Sequence, residues 1–304
     1  MRRDIGRNST CPCGSGRKAK LCCLRPNGIL EKSPANLVPP MPYTGYQNPK
    51  CFMRSTSNCS EKITGEHVFP QSVLRQIGKE GVTRVAGMKW QEPETFQDVG
   101  IASLTANVLC ARHNSGFSGL DMEISRLSEA IERVDNQLRE QAPPSSSMIL
   151  FSGDDIERWM LKASIGAVAA KQVQGFLPED SVRILTGEAE WGRGTGMWMT
   201  TEPKETLYHS DSIAVQPVVD ERSGGIVWLD WNIRGIPFRL VVRNDGPQTP
   251  LALHRPQSLL MKTGRCKREL LFSWTKGAPG DSLVLDRVHG YDGAPPNWAE
   301  WMRK

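Results

Sequence analysis

Four cysteines near the N-terminus have the spacing of metal ligands. Cys11 and Cys13 are separated from Cys22 and Cys23 by a basic stretch that contains a Gly-Ser-Gly turn. This chain length lets the two pairs fold back and present four thiolates tetrahedrally, as a structural zinc ion requires. A unit of this size needs its metal in order to fold. The spacing therefore predicts a zinc site.

A second group of ligand-type residues follows. Cys110 and His113 have the Cys-x-x-His spacing of zinc ligands, and Cys51 and Cys59 precede them. The gap between Cys51 and Cys59 is wider than the roughly two to four residues usual in a zinc knuckle, so one of the two need not be a ligand. Only Cys266 is left over. Because the cysteines are clustered, metal ligation explains them better than disulfides do.

The stretch from Gly6 to Cys23 resembles the SEC-C motif, a small zinc module found in the bacterial translocation motor and in many other bacterial proteins. The resemblance implies that the four cysteines within it bind zinc. It also implies an interaction role rather than catalysis; in the translocation motor the partners include proteins and ribosomes.

Two further motifs lie among the cysteines of the second group. Gly-Glu-His-Val-Phe-Pro occupies residues 65–70, and a stretch from Asn107 through Cys110 and His113 to Asn114 follows. In this order they resemble the HNH endonucleases with zinc-bracketed, ββα-metal sites. The resemblance implies a β-hairpin followed by a helix, wrapped around a catalytic metal ion.

The resemblance also implies a role for each matching position. Glu66 and Asn114 correspond to ligands of the catalytic metal, and His67 corresponds to the general base. Asn107 corresponds to the residue that orients that base through its backbone. Many relatives have Asp or His at the position of Glu66, and their final His has no counterpart after Asn114; Asp121 lies near.

These residue types suit hydrolysis of a phosphodiester bond. The reaction needs an activated water and neutralisation of the charge that builds on the phosphorus centre, and one imidazole with one divalent cation can supply both. An imidazole such as His67 can accept a proton at physiological pH. The oxygens of Glu66 and Asn114 suit Mg²⁺ or another divalent metal. Arg112 is a candidate phosphate contact.

The elements that must position these residues are predicted from apolar periodicity. Asp154 and Asp155 favour the start of a helix that we expect to end near Gly175. From about residue 181, short β-branched and aromatic stretches separated by glycines predict strands. An earlier amphipathic helix is indicated by apolar residues at steps of three and four: Leu120, Ile124, Leu127, Ile131, Val134 and Leu138.

We therefore predict an α+β protein in which the parts follow one another along the chain. Residues 1–25 form the SEC-C-like zinc-binding motif, and the proline-containing residues 26–45 form a linker. Residues 46–142 form the HNH nuclease domain, in which a long helix follows the ββα unit. A second linker spans 143–147. Residues 148–304 form an α+β domain of unknown function, mostly β and begun by one helix.

Composition limits the environment and the partners. The 304 residues, 38% hydrophobic, can fill one large core or two modest ones. No apolar stretch approaches the roughly 20 residues that span a bilayer, and the first residues lack the apolar core of a secretory signal. We expect a cytoplasmic protein without a membrane partner. Residues 1–25 carry a net charge of +6, whereas the remainder sums to −1, which concentrates attraction to phosphates at the N-terminus.

Two classes of function follow. The leading hypothesis is a metal-dependent endonuclease acting on DNA, with RNA or the ribosome as other candidate partners and an effector role in phage defence or a mobile element. The alternative is a catalytically inactive zinc-containing adaptor that binds nucleic acid, the ribosome or a protein. In either case the SEC-C-like motif or the C-terminal domain can contact a protein partner.

Overall fold

A computed structural model describes residues 5–86, 91–92, 95–139, 146–200, 206–208, 210–244, 253–263, 266–275 and 281–288. Among them, no helix has the length and apolar character needed to cross a bilayer. The fold is mixed α+β with several sheets. The helices are α1 (Gln71–Ile77), α2 (Ala111–Arg139), α3 (Gly153–Ala169) and α4 (Ser181–Thr186).

The strands fall into two groups along the chain. The first comprises β1 (Ile63–Glu66), β2 (Val82–Ala86), β3 (Phe96–Gly100), β4 (Ala106–Cys110) and β5 (Ser146–Ser152). The second comprises β6 (Gly196–Met199), β7 (Thr206–Tyr208), β8 (Ile213–Val219), β9 (Ile226–Ile233), β10 (Ile236–Val241), β11 (Leu253–His254), β12 (Ser258–Thr263), β13 (Cys266–Ser273) and β14 (Ser282–Val288).

Two antiparallel strands and one helix surround the predicted site. β1 pairs with β4, with Ile63 opposite Cys110 and an irregularity in register between Thr64 and Glu66. The helix α2 starts at the residue that follows β4. Between β1 and β4 the chain inserts α1 and the β2–β3 hairpin. The site residues therefore lie at the ends of short elements.

The amphipathic helix predicted around residues 120–138 is present, and it is longer than predicted. Its apolar residues through Val134 are buried, which explains the periodicity, while the side chain of Leu138 lies outside the described residues. The helix begins at Ala111. His113 and Asn114 are consequently in its first turn.

The C-terminal region begins with a strand rather than with the predicted helix. β5 pairs in parallel with β13, so Ser146 and Ser147 of the predicted second linker belong to a sheet. Residues 143–145 of that linker lie outside the described residues. α3 follows at once, with Ser152 accepting a hydrogen bond from the Asp155 backbone N–H. It ends at Ala169, earlier than the expected end near Gly175.

The described residues that follow α3 are mostly β, as their short apolar stretches predicted, apart from α4. One sheet has the strand order β11-β6-β10-β9-β8, and the other has the order β5-β13-β12-β14-β7. A single buried apolar cluster includes Leu120 of α2, Trp159 of α3 and Trp231 of β9. The helix that follows β4 therefore shares its core with the C-terminal sheets.

Residues 26–45 contain no helix or strand, yet they are attached to the body of the protein. The Ala35 backbone N–H donates to both carboxylate oxygens of Asp155 at 3.0 Å, and Leu37 is buried in the main core. This segment is therefore docked at Ala35 and Leu37, whereas Val38 and Met41 are exposed.

The first residue of α3 gives a test of the packing. A Cβ atom at Gly153 would collide with the indole ring of Trp274, whose Nε1–H is held by the Pro256 carbonyl at 3.0 Å. We expect Gly153→Ala to lower the free energy of unfolding by about 1–3 kcal/mol, because it overpacks the core. Denaturant titration measures this change. Gly100→Ala is the control, since no atom lies within 4 Å of its added Cβ. An unchanged midpoint for Gly153→Ala would contradict this packing.

Candidate functional site

The four N-terminal cysteines form a compact cluster. The sulfur atoms of Cys11, Cys13, Cys22 and Cys23 lie within 4.8 Å of one another. The chain reverses between the two pairs, where Gly14 and Gly16 adopt positive φ angles of 78° and 73°. The group could hold a metal ion, and its four sulfurs are consistent with zinc.

The pKa values of three thiols in this cluster are shifted in different directions. Burial raises the pKa of the Cys23 and Cys11 thiols. Burial also acts to raise the pKa of Cys22, but hydrogen bonding to Ser15 and Arg17 outweighs it and lowers that pKa to about 6. A bound cation would stabilise all four thiolates together.

The cluster is docked on the body of the protein. The Leu150 backbone N–H donates to the Pro12 carbonyl at 3.0 Å, and the Arg126 guanidinium donates to the Cys13 carbonyl at 2.5 Å. The side chains of Leu150 and Leu271 pack against the cysteines. This zinc-type unit is thereby joined to β5 and α2.

The second group comes together as the sequence predicted. Cys51, Cys59, Cys110 and His113 are all buried, and their ligand atoms lie within 4.8 Å of one another. His113 Nδ1 lies 3.2 Å from the Cys110 sulfur, 3.6 Å from Cys51 and 3.8 Å from Cys59. The wide gap between Cys51 and Cys59 is closed by a 3-10 turn that ends in the left-handed residue Ser57. This group could also hold a metal ion, consistent with zinc.

The sequence did not indicate Thr56, which orients His113. The Thr56 hydroxyl donates to the Met53 carbonyl at 2.8 Å and lies 3.0 Å from His113 Nε2. Because its single proton is used, this hydroxyl accepts from Nε2–H, which leaves Nδ1 unprotonated and facing the sulfurs. Burial, together with the charge of Arg112, lowers the pKa of His113 to about 4. The imidazole is therefore neutral, the form that binds a metal.

The second group also fixes the start of α2. Backbone N–H groups of Cys110 and Ser60 donate to the sulfurs of Cys51 and Cys110, respectively, both at 3.4 Å. Such donors stabilise a thiolate, and those of His113 and Ser60 lower the pKa of Cys110 although burial acts to raise it. Burial raises the pKa of Cys51 to about 12. A bound cation would instead stabilise the Cys51 thiolate and lower the pKa of Cys51.

His67 follows directly after β1 and is half-buried. Its Nε2 lies 3.1 Å from the Ile101 carbonyl, which can only accept a proton. Nε2 therefore carries the hydrogen in the neutral ring, and among the described residues no hydrogen bond occupies Nδ1, the nitrogen that can act as a base. The resemblance implied that the backbone of Asn107 orients His67. In the structure, the carbonyl that contacts His67 belongs instead to Ile101, in the segment between β1 and β4. The Asn107 side chain is exposed in β4.

Glu66 points into the protein. Its side chain is about as buried as the core, and its carboxylate forms an ion pair with Lys162 of α3. The same ammonium lies 2.8 and 2.9 Å from the two carboxylate oxygens of Asp121. Burial raises the pKa of Glu66, and the positive charge of Lys162 opposes that rise. Neither Lys162 nor its pairing was indicated by the sequence.

Asn114 and Arg112 lie on the same first turn of α2. Asn114 donates from Nδ2 to the Thr64 hydroxyl at 3.1 Å, and among the described residues its Oδ1 receives no hydrogen bond. The Arg112 guanidinium donates to Asn58 Oδ1 at 3.0 Å and to the Pro42 carbonyl at 2.7 Å. Arg112 thus fastens the segment before the second cysteine group, while Asn114 retains a free oxygen.

Removing one ligand tests the second group. We expect Cys110→Ser to lower the bound zinc from about two ions per chain to about one, because a structural zinc site is closed by four protein ligands and the loss of one thiolate weakens it. The melting temperature should fall with it. Plasma mass spectrometry on the purified protein measures the zinc content. Cys266→Ser, which alters the cysteine outside both groups, should keep both ions; equal zinc in the two variants would contradict the assignment.

Comparison with known proteins identifies the N-terminal unit alone. Residues 7–25 match the model of the SEC-C motif, and they include all four cysteines of the first cluster. No curated protein and no solved structure matches the chain. The SEC-C motif at the N-terminus and a separate cysteine/histidine metal-binding group are thus the two features on which function must be built.

Proposed function

We propose that this protein is a metal-dependent endonuclease of the HNH type, which hydrolyses phosphodiester bonds in DNA with His67 as the general base. The observation that carries the proposal is the setting of His67. It follows the end of β1 and is half-buried, with Nε2 bonded to the Ile101 carbonyl and, within the described parts of the chain, no hydrogen bond at Nδ1. The cysteine/histidine group fixes the strand and the helix beside it.

The chain's own residues account for activation of the nucleophile. His67 Nδ1 takes a proton from water while the water oxygen forms a bond to phosphorus. The bond from phosphorus to the leaving oxygen breaks with its electron pair on that oxygen, which takes a proton from solvent. The Ile101 carbonyl keeps the ring in the required tautomer and orientation, because it can only accept the Nε2–H.

A divalent cation such as Mg²⁺ would neutralise the charge on the phosphorus centre. Of the two ligands that the resemblance implies, Asn114 fits, since its Oδ1 is free among the described residues and the side chain is half-exposed. Glu66 does not fit, since its carboxylate is buried and paired with Lys162.

The charge of the N-terminal unit supports a nucleic-acid substrate. Arg7, Arg17, Lys18 and Lys20 are exposed on the SEC-C motif, which is docked on the body through Arg126 and Leu150. Exposed cations attract phosphates without regard to sequence, in a manner that weakens with salt. This surface would bring the chain to DNA, RNA or the ribosome.

A second function, that of a catalytically inactive zinc-containing adaptor, is favoured by two contacts. Glu66 is sequestered by Lys162, and Arg112 is occupied by carbonyl groups of the protein. In that case the basic surface would recruit nucleic acid, the ribosome or a protein without cleavage.

Loss of the imidazole separates the two functions. We expect His67→Ala to reduce cleavage about 10²- to 10⁴-fold, the range for removal of a general base. Plasmid, linear duplex and single-stranded DNA and an RNA should be assayed with Mg²⁺ and with Mn²⁺. His254→Ala is the matched control, because His254 also contacts a carbonyl through Nε2, that of Thr195 at 2.9 Å. Equal cleavage rates for His67→Ala and the unaltered protein would contradict the endonuclease proposal and favour the adaptor function.

Metal exchange gives a further distinction. Both functions retain two tightly bound zinc ions, but only the endonuclease needs another, weakly held divalent ion. We expect Asn114→Ala to weaken that ion about tenfold or more, the usual cost of losing a ligand or its support. Titration with Mn²⁺, followed by electron paramagnetic resonance, measures it. If Asn114→Ala and the unaltered protein give the same Mn²⁺ binding curve, Asn114 is not a ligand of that ion.

A further inference from the structure

We propose that the Lys162 ammonium is the built-in cation for the Glu66 and Asp121 carboxylates, and that Glu66 is a positioning residue for His67 rather than a metal ligand. The inference rests on the proposed function for the role of His67. It assigns to α3, in the C-terminal region, a direct part in shaping the site.

The geometry around Lys162 carries this inference. The side chain is 1% exposed, and its ammonium is bonded to Glu66 and to both oxygens of Asp121. An ammonium group has three donors and no acceptor, so these carboxylates satisfy it. A buried charge is tolerated only with such partners. The three groups therefore form a closed unit.

The closed unit leaves no place for a divalent ion on Glu66. Mg²⁺ keeps several waters and needs an open, oxygen-rich site. The Glu66 carboxylate is buried, and a second cation beside it would be repelled by the ammonium at short range. An ion held near Asn114 must therefore bind without Glu66.

The same unit explains how His67 is held. Glu66 is the last residue of β1 and lies opposite Ala106 of β4, just after the irregularity in register. Asp121 lies on α2 and Lys162 on α3, so the ion pair joins the end of the strand to two helices. His67 is the next residue, and its backbone position follows from that junction.

Metal binding tests the inference without using activity. We expect Glu66→Gln to bind exchangeable Mn²⁺ with the affinity of the unaltered protein, within about twofold, whereas Asn114→Ala binds it about tenfold more weakly. Electron paramagnetic resonance of Mn²⁺ titrations on the full chain measures both. A tenfold loss in Glu66→Gln would overturn the inference, because Glu66 would then be a ligand.

Removing the ammonium provides the reciprocal test. In Lys162→Met, a neutral side chain of similar length, Glu66 and Asp121 lack a cation, and we expect Mn²⁺ or Ca²⁺ to raise the melting temperature of this variant. The unaltered protein and the double variant Lys162→Met/Glu66→Gln should show only a smaller rise, the one that an ion near Asn114 gives without Glu66. A rise in the unaltered protein that Glu66→Gln abolishes would refute the inference. If Lys162→Met does not fold, the Glu66→Gln titration decides.

Kinetics separate a failure of this inference from a failure of the proposed function. If both hold, Glu66→Gln should lower kcat while the Mn²⁺ concentration for half-maximal cleavage stays within about twofold. A shift of that concentration in Glu66→Gln would overturn the inference and leave the nuclease intact. If His67→Ala cleaves as fast as the unaltered protein, the proposed function is wrong. The metal titrations, which are made without substrate, would still show whether Glu66 is a metal ligand.

Discussion

Pairing of charges along α2 is the constraint on which the rest of the structure depends. The buried carboxylate of Glu123 accepts from Lys32, from Arg126 and from the Ser152 backbone N–H. Two buried cations, Lys162 of α3 and Arg234 of the β9–β10 turn, find acidic partners on the same helix. Because an unpaired buried charge is costly, each segment that contributes a charge is held against α2.

β1 shows how these contacts act together on a very short element. A strand of four residues with one partner strand has little stability of its own. Its first residue, Ile63, lies opposite Cys110, a member of the second cysteine group, and its last residue is Glu66, held by α3. The strand is thus secured at both ends. His67 comes immediately after the second of these points.

What the sequence could predict was either local in the chain or marked by residues typical of metal ligands, as in the second group, where Cys51 and His113 are 62 positions apart. The cysteine pairs around Gly14–Gly16 and the apolar spacing along α2 depend on residues within a few turns of one another, so they were predictable. By contrast, β5 was missed because an apolar run of a few residues does not reveal its partner, and β13 lies more than a hundred residues away. The Ile101 carbonyl beside His67 and the ammonium of Lys162 likewise come from separate segments. Neither carries a motif.

The docked SEC-C motif has a consequence for the order in which the chain acquires its structure during translation. The motif is made first, but the backbone N–H of Lys32, just beyond it, donates to Ser273, 241 positions later. At about 5–20 residues per second, the two ends of that contact emerge on the order of ten to fifty seconds apart. Arg126 and Leu150 emerge earlier, but until Leu271 is made the part of the docking face that packs against it stays exposed.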